Sequence, residues 1–297
     1  AGMSAQTDKR ERRRLALLRR SGFFNALPDD VRICRATSFR DLRDAYGLVH
    51  EVFLEQGYIN PMPGGLRIRP HEALPQTSTF VAKVDAEVIG VQSLVADTVQ
   101  LDLPSDHSFR AEIDALRRQG RKICEAANES VAEAYRRTSV PGELMRGCFA
   151  HALAHGYTDI ITAVSPGHGR FYELLGFEKI GDERSFSDEI LDVVVLMRLD
   201  LKKIPQRVLD ARLSPETADA FVIRYFVLDN PHRAHVDVWA TEAARDFANP
   251  TMLKDLFVDQ SELLARCEPH EIAAICEHWG EDLYNHVLAL IDSAMAA

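Results

Sequence analysis

Between residues 31 and 201, short β-prone runs and helical segments follow one another in the order β-α-β-β-α-β-α-β-α-β-β. Strands that bury a face need cover, and the interspersed helices supply it. The simplest layering is a mixed, mostly antiparallel twisted sheet with helices on both faces, an α/β (α+β) architecture. Residues 31–37 alternate as a short strand. Ser38 caps a helix over 39–56, with Leu42, Ala45, Tyr46, Val49, Val52 and Phe53 at helical spacing and Gly57 as the stop. Residues 79–84 and 88–95 predict a hairpin around Asp85-Ala86-Glu87. Residues 104–120 contain a helix with Phe109, Ile113 and Leu116 on one side. Strands over 122–134 and 159–164 flank a helix over 142–155. A short helix over 169–175 precedes strands over 177–187 and 193–201. The stretch 60–75 is rich in Pro and Gly and reads as loop.

Past residue 203 the pattern becomes helical. Ser214-Pro215-Glu216 reads as a helix start, with helices expected over 251–266 and 269–294 and loop or strand over 230–238. The division is therefore a basic helical segment 1–30, a sheet domain 31–203 and a helical C-terminal domain 204–297. The last is expected to cover one end of the site that the sheet domain carries.

The formal net charge of −10 argues against a nucleic-acid partner. Charge is uneven, however. Lys9, Arg10, Arg12, Arg13, Arg14, Arg19 and Arg20 crowd the N-terminus. Such a patch suits an acidic partner, a membrane surface or simply a solvated helix face. The five cysteines show no C-x-x-C spacing, which disfavours a disulfide framework or a zinc finger and fits the cytosol. No apolar run approaches the roughly 20 residues of a membrane span.

Two local patterns carry the chemistry. Arg170-Phe171-Tyr172-Glu173-Leu174-Leu175-Gly176-Phe177 joins a short helix to a strand, with Gly176 as its C-cap. This turn resembles the corresponding one of the GNAT acyltransferase superfamily. Arg136, Arg137, Ser139, Val140 and Gly142 stand where that fold cradles the donor's phosphate at a helix N-terminus. Pro141 removes one N–H donor there, so the loop suits one phosphate better than a pyrophosphate. Residues 40–58, 64–83, 93–128 and 164–177 together resemble the long-chain N-acyl amino acid synthases, relatives of the acyl-homoserine-lactone synthases. The resemblance implies transfer of a fatty acyl group from acyl carrier protein, or from acyl-CoA, to an amino acid α-amine. It implies no bound cofactor or metal beyond the acyl-phosphopantetheine co-substrate.

Attack of an amine on a thioester needs a proton acceptor and a proton donor. Glu125, an acidic residue inside a strand, is a candidate base, or else a rim carboxylate. His168 is a candidate base, relay or ligand of the acceptor, or else a solvated helix start. Tyr172 occupies the position that in GNAT enzymes often protonates the leaving thiolate; core packing is the alternative. Arg67 and Arg69 are candidates for holding the acceptor carboxylate. Cys148, His151 and His155 share a helix, and the expectation there is a packed face rather than a metal site. Three other functions fit the same residues: an acetyl-CoA-dependent N-acetyltransferase, a non-catalytic binding module, and an acyl-homoserine-lactone synthase.

Overall fold

A computed structural model describes residues 2–186 and 192–295. Helix α1 (Gly2–Arg20) leads to strand β1 (Val31–Ala36) and α2 (Phe39–Glu55), which Ser38 caps by accepting from the Asp41 N–H. A short α3 (Pro70–Ala73) precedes the hairpin β2 (Ser78–Val84) and β3 (Glu87–Ala96). Next come α4 (Asp106–Arg118), β4 (Ile123–Val131), α5 (Val140–Ala154), β5 (Asp159–Val164) and α6 (Pro166–Leu174). Strands β6 (Glu178–Ser185) and β7 (Val193–Asp200) complete the sheet. Ser187, expected at the end of β6, lies outside the described residues. The remaining helices are α7 (Ile204–Leu213), α8 (Ala218–Ile223), α9 (Val236–Asp246), α10 (Pro250–Lys254), α11 (Leu263–Arg266), α12 (Pro269–Trp279) and α13 (Glu281–Met295).

The seven strands form one sheet in the order β1-β2-β3-β4-β5-β7-β6. Every neighbouring pair is antiparallel except β4 and β5. That parallel pairing runs only from Ile123↔Asp159 to Glu125↔Ile161, while β4 continues to Val131 and β5 to Val164. Beyond Glu125 the two strands splay apart. A β-bulge accompanies the splay: Ser93 pairs with Ala127 but Val91 pairs with Ser130. Asn128 takes a left-handed φ of 58°, which an amide side chain tolerates better than most.

The sheet carries a core on each face. Phe80, Leu94, Cys124 and Ile160 pack under α5 and α6. Val81 and Val91 pack under α2, and Val95, Ile123 and Ile161 pack under α4. Among the described residues, those after Leu201 do not close on a core of their own. Ile204, Val222, Phe226 and Trp239 join the α5 face; Phe247, Leu253, Phe257, Ile275 and Trp279 join the α2 face. The chain passes between the faces beside edge strand β1, where Thr37 Oγ1 donates to Asp246 at 2.7 Å. Covering that edge also removes a free ladder from solvent.

The C-terminal helices are shorter than their apolar pattern suggests. The expected helix over 251–266 is interrupted by π-helical backbone at Asp255–Gln260 and by Glu262 at a φ of 52°. Gly280, at a φ of 88°, divides the expected helix over 269–294. Residues 231–246 are helical, and Thr217 rather than Ser214 caps α8.

Candidate active site

On the α2 and α4 face, Glu125 points beneath the start of α4 and is 2% exposed. Ser105 donates to it twice, from N at 3.0 Å and from Oγ at 2.6 Å. Burial dominates and pushes the Glu125 pKa up to about 7, against the pull of the Ser105 donors and the nearby Arg69 cation. Arg69 grips Glu72 through Nε at 3.2 Å and Nη2 at 2.6 Å. Burial pushes Glu72 up, but the Arg69 charge outweighs it and holds the carboxyl down at about 2. Asn128, turned inward by the bulge, donates to Glu72 at 3.0 Å and to Ser93 at 3.2 Å. The buried chain continues from Ser93 through Thr79 to the Tyr46 hydroxyl. Arg67 is buried nearby with its guanidinium 4.9 Å from the centre of the Phe53 ring.

On the other side of the splay, Tyr172 of α6 donates to Glu129 of β4 at 3.4 Å. Burial, then the Glu129 charge, push the Tyr172 pKa well above its ordinary value, so the hydroxyl keeps its proton. Glu129 is solvent-accessible where α6 packs beside β4. Burial raises its pKa; His168 and the Tyr172 hydroxyl oppose the rise. His168 is exposed in the first turn of α6, and its Nδ1 lies 2.9 Å from Ser165 Oγ.

The start of α5 is packed rather than open. Ser139 Oγ donates to the Ala26 carbonyl at 3.2 Å, and Ser139, Val140 and Gly142 are all buried. Residues 22–26 cross the first turn. A Cβ on Gly142 would lie 2.3 Å from the Phe23 carbonyl and 2.8 Å from the Tyr225 hydroxyl. Arg136 is exposed, pairing with Glu55 at 3.0 Å and donating to the Val131 carbonyl; Arg137 is exposed beside it. Gly142→Ala is therefore expected to destabilise the fold by about 1–3 kcal/mol, the range for overpacking. A lowered thermal midpoint with donor KM near the parent's would place Gly142 in packing. An unchanged midpoint with a raised KM would place it in phosphate binding.

The family model described as N-acyl amino acid synthase FeeM matches residues 44–200, more than half of the chain. The chain belongs to this family. It is an acyltransferase with a GNAT-like sheet, and membership supports N-acyl transfer as its activity. The solved structure of FeeM, from uncultured soil microbes, is 22% identical over 58% of this chain and 91% of that one, with a TM-score of 0.52. The acyl-homoserine-lactone synthase LasI is 16% identical over 58% and 89%, at a TM-score of 0.43. The CoA-dependent acyl-homoserine-lactone synthase BjaI, solved with SAM and isopentyl-CoA, is 18% identical over 65% and 98%, also at 0.43. No curated protein sequence matches the chain.

In this FeeM-family chain the candidate residues fall into three groups. Glu125 and Arg69 share the α2 face within electrostatic reach of each other, and Arg67 is close enough to Glu72 to lower its pKa. Tyr172 and His168 share the α6 side. Ser139 and Gly142 face residues 22–26, and Val140 packs against Gly90 of β3. Sequence reasoning missed Glu129, Glu72, Asn128 and Ser105. Glu129 lies four residues after Glu125 in one strand, and unbroken alternation would set both on one face. The bulge at Asn128 breaks the alternation and turns Glu129 toward Tyr172.

Proposed function

We propose that this chain moves a long-chain fatty acyl group from an acyl carrier protein thioester to the α-amine of an amino acid. One observation carries the reading. The splay of β4 and β5 has a near-neutral carboxyl and arginines on one face and a protonated phenol on the other. The amine nitrogen attacks the thioester carbonyl carbon from the Glu125 side, and its proton passes to the Glu125 carboxylate. The C–S bond breaks, and Tyr172 protonates the departing thiolate. A base with a pKa of about 7 is matched to this work near neutral pH. Arg67 and Arg69 orient the acceptor carboxylate beside Glu125.

The packed start of α5 and the missing N–H of Pro141 favour a donor with one phosphate, as a carrier-borne pantetheine has. Carrier docking is assigned to exposed basic residues, because the chain's net charge of −10 would otherwise repel an acidic partner. Arg136, Arg137 and the α1 residues Lys9, Arg10, Arg12, Arg13, Arg19 and Arg20 are exposed. Arg117 and Arg121 do not serve this role, being held by Asp97, Asp106 and Asp114 and by Asp159 and Asp200. Arg146 is held by Glu143 and two carbonyls. The reaction belongs in the cytosol, where carrier-borne acyl groups and free amino acids meet.

Mass spectrometry of lipid extracts from cells expressing the protein should show a new fatty acyl amide of an amino acid. Purified protein should transfer from acyl carrier protein faster than from the same acyl chain on CoA, and more slowly as salt rises. Acetyl-CoA as the only productive donor would overturn the reading.

A further inference from the structure

At the far end of the sheet from the splay mouth, a cavity of about 520 Å3 opens where β1 and β3 end and β2 and β4 begin. Its floor holds Arg35 of β1, which is 7% exposed. Its guanidinium donates from Nη2 to the Pro75 carbonyl at 3.2 Å. Among the described residues no carboxylate pairs with it. Four other arginines with little exposure each have a carboxylate partner. Arg69 is held by Glu72, Arg146 by Glu143, Arg198 by Asp159 and Arg121 by Asp200. A guanidinium taken out of water without a counter-ion is costly, and proteins normally pair it. Burial pulls Arg35 down to about 10, so it still carries its charge at neutral pH.

The rest of the wall adds positive and hydrogen-bonding groups. The Lys122 Nζ reaches over the Tyr157 ring at 4.7 Å and donates to the His155 carbonyl. His151 and His155 stack with ring centroids 3.9 Å apart, and His151 Nε2 lies 3.1 Å from Ser78 Oγ. From α12, His278 bridges Gln76 at 2.8 Å and Gln100 at 3.1 Å, closing one side. Asp97 is the acidic residue on the wall, and both its oxygens accept from Arg117 at 2.8 Å. It is spent on a partner outside the cavity.

We propose that this cavity binds the oxyanion of a small metabolite, a phosphate or a carboxylate, with Arg35 as its central cation and Lys122 and His155 at its rim. The site is separate from the splay and takes a ligand that is not consumed in acyl transfer. His278 makes α12 part of its wall.

The test is thermal unfolding of the full chain at constant ionic strength, titrated with inorganic phosphate, with acetate, and with chloride as the control. Saturable stabilisation by phosphate or by acetate, absent with chloride, is expected, and the anion that acts names the oxyanion class. Lys122→Ala changes an exposed side chain and leaves the fold intact. It should weaken the apparent affinity about tenfold or more, the scale of one charge-assisted hydrogen bond. Arg35→Met should abolish the effect, and Arg35→Lys should keep part of it. No anion-specific stabilisation, or the same apparent affinity in the parent and Lys122→Ala, would overturn the proposal.

Discussion

Glu125→Gln is expected to lower kcat by about 10²-fold or more, the scale for a positioned acid–base group. The amide keeps the size of the side chain and an acceptor for Ser105, so the fold should survive. In the parent, kcat/KM should show one rising limb near pH 7, because the carboxylate is the working form, and a second at higher pH set by the acceptor amine. The variant should lose the first limb and keep the one set by the acceptor amine. Stability supplies an independent readout. The folded pKa of about 7 exceeds the ordinary 4.5, so the fold holds the protonated carboxyl more tightly than the unfolded chain does. Its contribution is fully present below about pH 4.5 and is lost as pH rises through about 7. The parent should therefore lose of order 3 kcal/mol across that window relative to Glu125→Gln. His168→Ala run alongside should cost only a few-fold in rate. If Glu125→Gln stays within a few-fold of the parent, the base is not Glu125, and the Glu129 side of the splay takes its place.

The course of the sheet is legible in the sequence because its signals are local. Alternation marks β1, Ser38 marks the start of α2, and Gly176 marks the passage from α6 to β6. The same locality explains what stayed hidden. Glu125 is conspicuous as an acid in an apolar strand, but its partner Ser105 is twenty positions away and is found only when α4 folds back. Glu129 is misplaced by any count of two, since one left-handed Asn128 shifts the parity. Gly142 looks like a phosphate-loop glycine at the level of the motif. Its actual neighbours, Phe23 and Tyr225, come from the two ends of the chain. The breaks at Glu262 and Gly280 are single positive-φ residues, which an apolar periodicity does not express.

Removing residues 204–297 is expected to leave no cooperatively folded protein, because those residues finish the core on both faces. Phe226 and Trp239 are 1% and 5% exposed against the α5 face, and Phe257 and Ile275 are fully buried against the α2 face. Each such side chain stabilises by roughly 1.5–3 kcal/mol, so these four alone rival the whole 5–15 kcal/mol of a typical domain. The boundary near residue 203 is a change of secondary structure within shared cores. A second cut, after Asp246, keeps the α5-face cover and removes only the α2-face helices. Those helices brace the loop that carries Arg67 and Arg69. Trp279 Nε1 donates to the Ala73 carbonyl at 2.7 Å, Arg266 donates to the Ile68 carbonyl at 3.2 Å, and Gln260 presses on Gly64. A finer cut at the same brace is Trp279→Phe, which keeps an aromatic ring while removing the indole donor and part of its bulk. It should raise KM for the amino acid severalfold while moving kcat and donor KM little, if Arg67 and Arg69 orient the acceptor and Glu125 is the base as proposed. A soluble 1–203 fragment with a sharp unfolding transition and parental activity would show that the tail serves another purpose. Equal changes in both KM values for Trp279→Phe would show that the brace supports the fold and not the acceptor loop.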